Sequence, residues 1–159
     1  MRVLAPLAVV LCLAAPAVAS ADAPRNVVVI LGLATPHGEI GIDAGITVHP
    51  IVTLSTGVGL SFNGVQVAWM ARLQTPTRPV RGYLGLGLSC GNYEAFDPVG
   101  VDDARAKVLW DNTELGIEVF AGSLLVRVFG GLGVGVNPGK LPRGADGLPY
   151  GGIGVGSRF

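Results

Sequence analysis

Residues 150–159, YGGIGVGSRF, decide how the whole chain is read. Gly152, Gly154 and Gly156 alternate with Ile153 and Val155. Such a stretch is either a phosphate-cradling loop or a β-strand with one face nearly bare of side chains. A phosphate loop needs a helix N-terminus behind it to aim aligned N–H groups at the anion. Only Ser157, Arg158 and Phe159 follow, so no helix is expected there and the strand is preferred.

The same period-two alternation, the mark of a strand with two unlike faces, recurs upstream. In Glu39–Val48, Ile40, Ile42, Ala44, Ile46 and Val48 alternate with Glu39, Gly41, Asp43, Gly45 and Thr47. Val52–Phe62, Val65–Leu73, Gly82–Cys90, Thr113–Phe120 and Leu124–Val136 repeat it. Val27–Leu33 is apolar throughout and has no phase of its own. With Pro149–Phe159 these make eight expected strands.

Turn chemistry supports the register. Asn63-Gly64 is a strong two-residue hairpin sequence and sets Phe62 beside Val65. Gly122-Ser123 suits a type II′ turn, which pairs Ala121 with Leu124 and brings Glu118 opposite Arg127. Connection lengths alternate: Thr35–Gly38, Asn63-Gly64, Asn92–Lys107 and Asn137–Leu148 fall at one end. His49–Ile51, Gln74–Val80 and Gly122-Ser123 fall at the other. Both long connections share an end, the arrangement of outer-membrane barrels with short inner turns and long outer loops.

The two faces differ in kind. One carries branched aliphatics and no charge through the strand interiors. The other holds Glu39, Asp43, Arg72, Glu114, Glu118, Arg127 and Arg158 among Gly, Ser and Thr. A solvated surface is richer in charge than this, whereas small residues and compensating charges suit a narrow lumen and aliphatics suit lipid. The expected fold is therefore all-β: a closed antiparallel eight-stranded transmembrane β-barrel, which satisfies every backbone group inside a bilayer.

Composition agrees. Charged residues make up 14% of the 159, with 11 basic and 11 acidic, below the roughly 25% usual for soluble domains, and a net charge of zero points to no nucleic-acid partner. Arg2, the apolar run from Val3 to Ala15 and the small residues at Ala17–Ala19 or Ala19–Ala21 read as an export leader. Met1–Ala21 is expected to be a cleaved signal peptide and Asp22–Phe159 a single barrel domain. Export leaves Cys90 alone after Cys12 departs, so no internal disulfide is expected.

On these residues the chain resembles the small eight-stranded outer-membrane β-barrel proteins of Gram-negative bacteria, over about Val27 to Phe159. The resemblance implies a lipid-facing last strand with a terminal aromatic, read by the barrel-assembly machinery. Ile153, Val155 and Phe159 fit that pattern, and Ser157 departs from it. Trp69, Phe62, Tyr83, Trp110 and Tyr150 are the candidates for aromatic girdles. The implied location is the cell outer membrane, with membrane lipid and the assembly machinery as partners. A surface partner at loops 92–107 and 137–148 is left open.

Other chemistry is weaker. In GGLGVGVNPGK (130–140), Val134 stands where a P-loop needs its first glycine and Leu141 where it needs Ser or Thr. No cofactor is expected. His37 and His49 sit at opposite ends, and Asp97, Asp102 and Asp103 lack the spacing of a calcium loop; no metal site is expected. Glu114 and Glu118 could act as a carboxylate pair, but a side-chain plug of neutralised charges is preferred. Two alternatives stay open: a lipid-modifying enzyme using His37 with Ser61 or Ser89, and a soluble secreted β-barrel binding a small apolar ligand.

Overall fold

The computed structural model describes residues 24–62, 64–76, 79–94, 105–136 and 147–159. The expected leader, Met1–Ala21, lies outside these residues. Eight strands follow in order: β1 (Arg25–Leu33), β2 (Ile40–His49), β3 (Val52–Ser61), β4 (Gly64–Gln74), β5 (Val80–Glu94), β6 (Arg105–Ala121), β7 (Leu124–Gly135) and β8 (Gly147–Arg158). Each pairs antiparallel with its sequence neighbour, and β1 pairs with β8 from Asn26↔Arg158 to Leu33↔Gly151. The sheet is a closed barrel. No edge strand remains, so the backbone ladder is satisfied all the way round.

Closure sorts the alternating residues into two populations. Outside are Ile40, Ile42, Val58, Leu60, Leu86, Leu115, Ile117, Val128, Ile153 and Val155, all exposed, with Leu115 at 65%. Inside are Asp43, Thr53, Ser55, Ala68, Met70, Arg72, Glu114 and Arg127, all buried. The strand β1, which has no phase in its sequence, places Val27, Val29 and Leu31 outward and Val28 and Ile30 inward. Its continuous apolarity has a cause. Val28 and Ile30 pack with Leu125, Phe129, Tyr83 and Tyr150 in an apolar cluster within the lumen.

Three expectations need correction. The β5–β6 hairpin runs on to Asn92↔Lys107, Tyr93↔Ala106 and Glu94↔Arg105, so residues 92–94 and 105–107 of the expected loop are strand. Likewise Gly147 and Leu148 belong to β8; the connections proper, 95–104 and 137–146, lie outside the described residues. At the β3–β4 turn Leu60, not Phe62, pairs with Val65, a shift of two that keeps every side chain on its expected face. Phe62 then projects, 88% exposed. Of the girdle candidates, Trp69 and Phe62 are on the outside, but Tyr83, Trp110 and Tyr150 are buried within. The Gly122-Ser123 turn holds its expected register, Ala121↔Leu124 and Glu118↔Arg127, with Gly122 at φ +63°.

The lumen packs by a simple rule. An interior of eight strands has room only for side chains that fit together, and here large inward residues lie across from glycines. Tyr83 pairs with Gly116, Tyr150 with Gly131, Phe129 with Gly152 and Met70 with Gly87. A Cβ at Gly116 would stand 2.5 Å from the Tyr83 ring, and one at Gly152 would stand 2.8 Å from Phe129. The glycines of residues 150–159 are thus the space that Val28 and Phe129 occupy.

The rule separates two glycine substitutions. Gly116→Ala must displace Tyr83 and is expected to cost ~1–3 kcal/mol, as overpacking of a filled core does. Gly82→Ala, whose Cβ would meet nothing within 4 Å, is expected to be near neutral. Urea unfolding of the detergent-folded protein, followed by tryptophan fluorescence, measures both; equal effects would refute the packing rule.

Candidate functional site: the lumen charge network

Six of the eight strands contribute to one polar cluster inside the barrel. Asp43 from β2 is its centre. The Asp43 Oδ2 accepts from Arg72 Nη1 of β4 at 3.1 Å and from Arg127 Nη1 of β7 at 2.7 Å. Arg72 Nη1 also donates to Ser55 Oγ of β3 at 2.6 Å, and its Nε donates to Glu114 Oε1 of β6 at 3.2 Å. Arg127 Nε donates to Glu118 Oε1 of β6 at 2.9 Å, with Nη2 2.8 Å from the same oxygen. Tyr83 of β5 completes the set, its hydroxyl donating to Glu114 Oε1 at 2.7 Å.

The geometry explains why these groups tolerate burial. An ion removed from water needs an opposite charge and filled hydrogen-bonding positions. Arg72 and Arg127 are 1% and 0% exposed, and each reaches two carboxylates. The Tyr83 ring lies beside both, its centroid 5.6 Å from the Arg72 guanidinium carbon and 5.8 Å from that of Arg127. A ring face presents negative potential to each cation. Glycines again supply the space. Asp43 pairs with Gly57, Arg72 and Glu114 with Gly85, and Arg127 with Gly154.

Two residues of the expected charge set stand apart. Glu39 is only half-buried at the long-loop end, where its Oε2 accepts from the Phe62 N–H at 3.0 Å. Arg158 lies at the short-turn end with its guanidinium 5.5 Å from the Phe120 ring centroid; Arg81 approaches the same ring at 4.9 Å. Arg81 is buried and was absent from the expected set. It stands just before Gly82, where the expected strand began, so its phase was not read. Ile153, Val155 and Phe159 are all exposed on the barrel's outer surface.

His37 is the largest surprise. Its turn folds inward, and Thr35, Pro36, His37 and Gly38 are all buried. Ala34 takes a left-handed φ of +53° and Gly38 one of +82°. The Thr35 hydroxyl donates to the Gly38 carbonyl and accepts from the His37 N–H, while the Gly38 N–H donates to the Thr35 carbonyl. His37 then lies over three glycines: a Cβ at Gly57, Gly41 or Gly59 would come within 2.8 Å of it. Its Nε2 is 3.4 Å from Asp43 Oδ1. The inward fold of the turn thus brings the histidine beside an acid from β2. Ser89, its suggested partner in lipid chemistry, instead accepts from Asn112 Nδ2 at 2.9 Å.

At the short-turn end, neutral groups cover the network. Thr53 Oγ1 donates to Gln74 Oε1 at 3.1 Å, and Gln74 Nε2 reaches the Pro50 carbonyl at 3.3 Å. Thr47 and Thr53 hydroxyls lie 3.2 Å apart. Among the described residues no group of His, Cys, Asp and Glu is arranged to hold a metal ion.

Removing the centre of the network separates members from bystanders. Asp43→Asn leaves two buried arginines short of charge and is expected to cost ~3–5 kcal/mol, the scale for breaking a buried ion pair from one side. Glu39→Gln, outside the network, is expected within ~0.5 kcal/mol of the parent, as for surface substitutions. The urea midpoint in detergent decides. A Glu39 effect as large as that of Asp43 would contradict the division.

Comparison with known families and with curated proteins finds no match. Solved structures do match. The N-terminal β-barrel domain of Pseudomonas aeruginosa OprF aligns at a TM-score of 0.63 with 17% identity, covering 86% of this chain and 97% of that one. Neisserial surface protein A (NspA) aligns at a TM-score of 0.47 with 11% identity, covering 86% and 94%. The first likeness, at nearly complete coverage of a compact domain, shows the fold: this chain is built as the small eight-stranded outer-membrane β-barrels are.

Proposed function

We propose that the protein is an integral outer-membrane β-barrel whose lumen is plugged by its own side chains and whose activity lies in what it presents outside the cell. The observation that carries this reading is the inverted polarity of the barrel. Leucine, isoleucine and valine cover its outer wall, while Asp43, Arg72, Glu114 and Arg127 are buried within it. In water that arrangement would expose a continuous apolar belt far beyond the patches soluble monomers carry. In a bilayer it is the stable one, because lipid takes the aliphatics and the lumen takes the charges.

The same arrangement weighs against the soluble ligand carrier, whose apolar face would have to line the cavity. The enzyme reading needs a histidine at the membrane rim beside a nucleophile, and His37 is instead buried against Asp43. Diffusion through the lumen is disfavoured by the paired arginines and carboxylates that cross it. What remains for function is the long-loop end, with connections 95–104 and 137–146 as contact surfaces. Met1–Ala21 serves as the export leader in this reading, and Ile153, Val155 and Phe159 as the strand offered to the assembly machinery.

Orientation is open to a direct test. Trypsin applied to intact cells is expected to cut at one or more of Arg105, Lys107, Lys140 and Arg143, leaving a membrane-embedded remainder resistant to carbonate extraction. Protection of all four sites until the cells are lysed would overturn the assignment of the long loops to the outside.

A further inference from the structure

A small cavity of about 90 Å³ opens at the long-loop end, above the charge network. Its wall includes Pro36, Glu39, Gln66, Trp110, Asn112 and Leu148. Gln66 and Asn112 lie on the inward phase of β4 and β6, so the cavity opens inside the barrel rim rather than onto the lipid face. Neither the network nor the packing rule accounts for it.

Its polar groups offer oxygen. Asn112 has both amide hydrogens committed, with Nδ2 donating to Ser89 Oγ at 2.9 Å and to the Trp110 carbonyl at 3.3 Å. That pins the amide and leaves Oδ1 as the atom it presents, on the side of Gly133, another wall residue. The Gln66 Oε1 is buried and receives no hydrogen bond among the described residues. Glu39 adds a carboxylate whose Oε2 accepts a single backbone N–H. Beside the Thr35, Ser61 and Ser89 hydroxyls the wall therefore gathers two amide oxygens and one carboxylate, and among the described residues no Lys or Arg lines it.

We propose that this cavity binds a primary ammonium group carried on a short alkyl chain. An ammonium brings three N–H donors and one positive charge, which suits the amide oxygens of Asn112 and Gln66 and the single Glu39 carboxylate. Pro36, Trp110 and Leu148 give the alkyl chain an apolar wall. A divalent metal ion is a poorer fit, because calcium sites draw affinity from several carboxylates and, among the described residues, Glu39 is the only one lining the cavity. A neutral sugar would leave the Glu39 charge uncompensated. A lipid headgroup would have to approach from the outer face, where the cavity does not open.

The test uses the full chain folded in detergent, titrated with n-propylamine hydrochloride and followed by ligand-observed saturation-transfer NMR. Tetramethylammonium chloride, calcium chloride and glucose serve as comparison ligands. Propylammonium is expected to bind best, since tetramethylammonium has the charge but no N–H. Glu39→Gln and Gln66→Leu are each expected to weaken binding roughly tenfold, the loss of one charge-assisted or buried hydrogen bond. Unboiled gel mobility confirms that each variant is folded. No saturable binding of propylammonium up to tens of millimolar would overturn the proposal. So would binding unchanged by Glu39→Gln in folded protein, or preferential binding of tetramethylammonium, calcium or glucose.

Discussion

The interior of an eight-stranded barrel is barely wider than the side chains that fill it, and every other feature of this molecule answers to that limit. Each inward position must be either the bulk or the space for someone else's bulk. The chain solves this pairwise across the sheet. Tyr83 faces Gly116, Tyr150 faces Gly131 and Phe129 faces Gly152. The charged residues follow the same scheme, with Asp43 against Gly57 and Arg127 against Gly154. The 25 glycines of the sequence, which first suggest loops or low complexity, include the spaces into which inward side chains fit.

The inward side chains fall into two parts. Val28, Ile30, Leu125, Phe129 and Tyr150, from β1, β7 and β8, form an apolar part. From β2 to β7 the contents are charged and tied to Asp43. Tyr83 belongs to both parts, its ring in the apolar cluster and its hydroxyl on Glu114. Opposite strands are thereby cross-braced through the middle of the barrel, at distances no backbone ladder spans. Above this brace, the inward-folded turn carrying His37 covers Asp43 from the long-loop end.

Much of this could be read from the residues alone, and the misses have physical causes. Alternation located β2 to β8 because one wall had to suit an apolar surround and the other a crowded polar interior. The Glu118–Arg127 pairing followed from Gly122-Ser123, whose leading glycine takes the positive φ that this turn requires. The phase of β1 was illegible because Val28 and Ile30 are apolar inside as well as out. The upper reaches of β5 and β6 were taken for loop since, beyond the apolar belt, a hairpin has no unlike surroundings to impose alternation. Tyr83, Trp110 and Tyr150 were assigned to girdles because an aromatic near a strand end suits an interface equally well; the glycines facing Tyr83 and Tyr150 were the sign that these two point inward. His37 could not be placed, since nothing in a four-residue turn announces that it folds into a hollow made by glycines on β2 and β3.

The central claim is a closed barrel, stable in an apolar medium because its charges are braced within. Electrophoresis of detergent-extracted protein, boiled and unboiled side by side, tests it most directly. The unboiled protein is expected to run as a compact species distinct from the boiled one, with heating converting the first band to the second. Identical mobility, or release of the protein from membranes without detergent, would contradict the account.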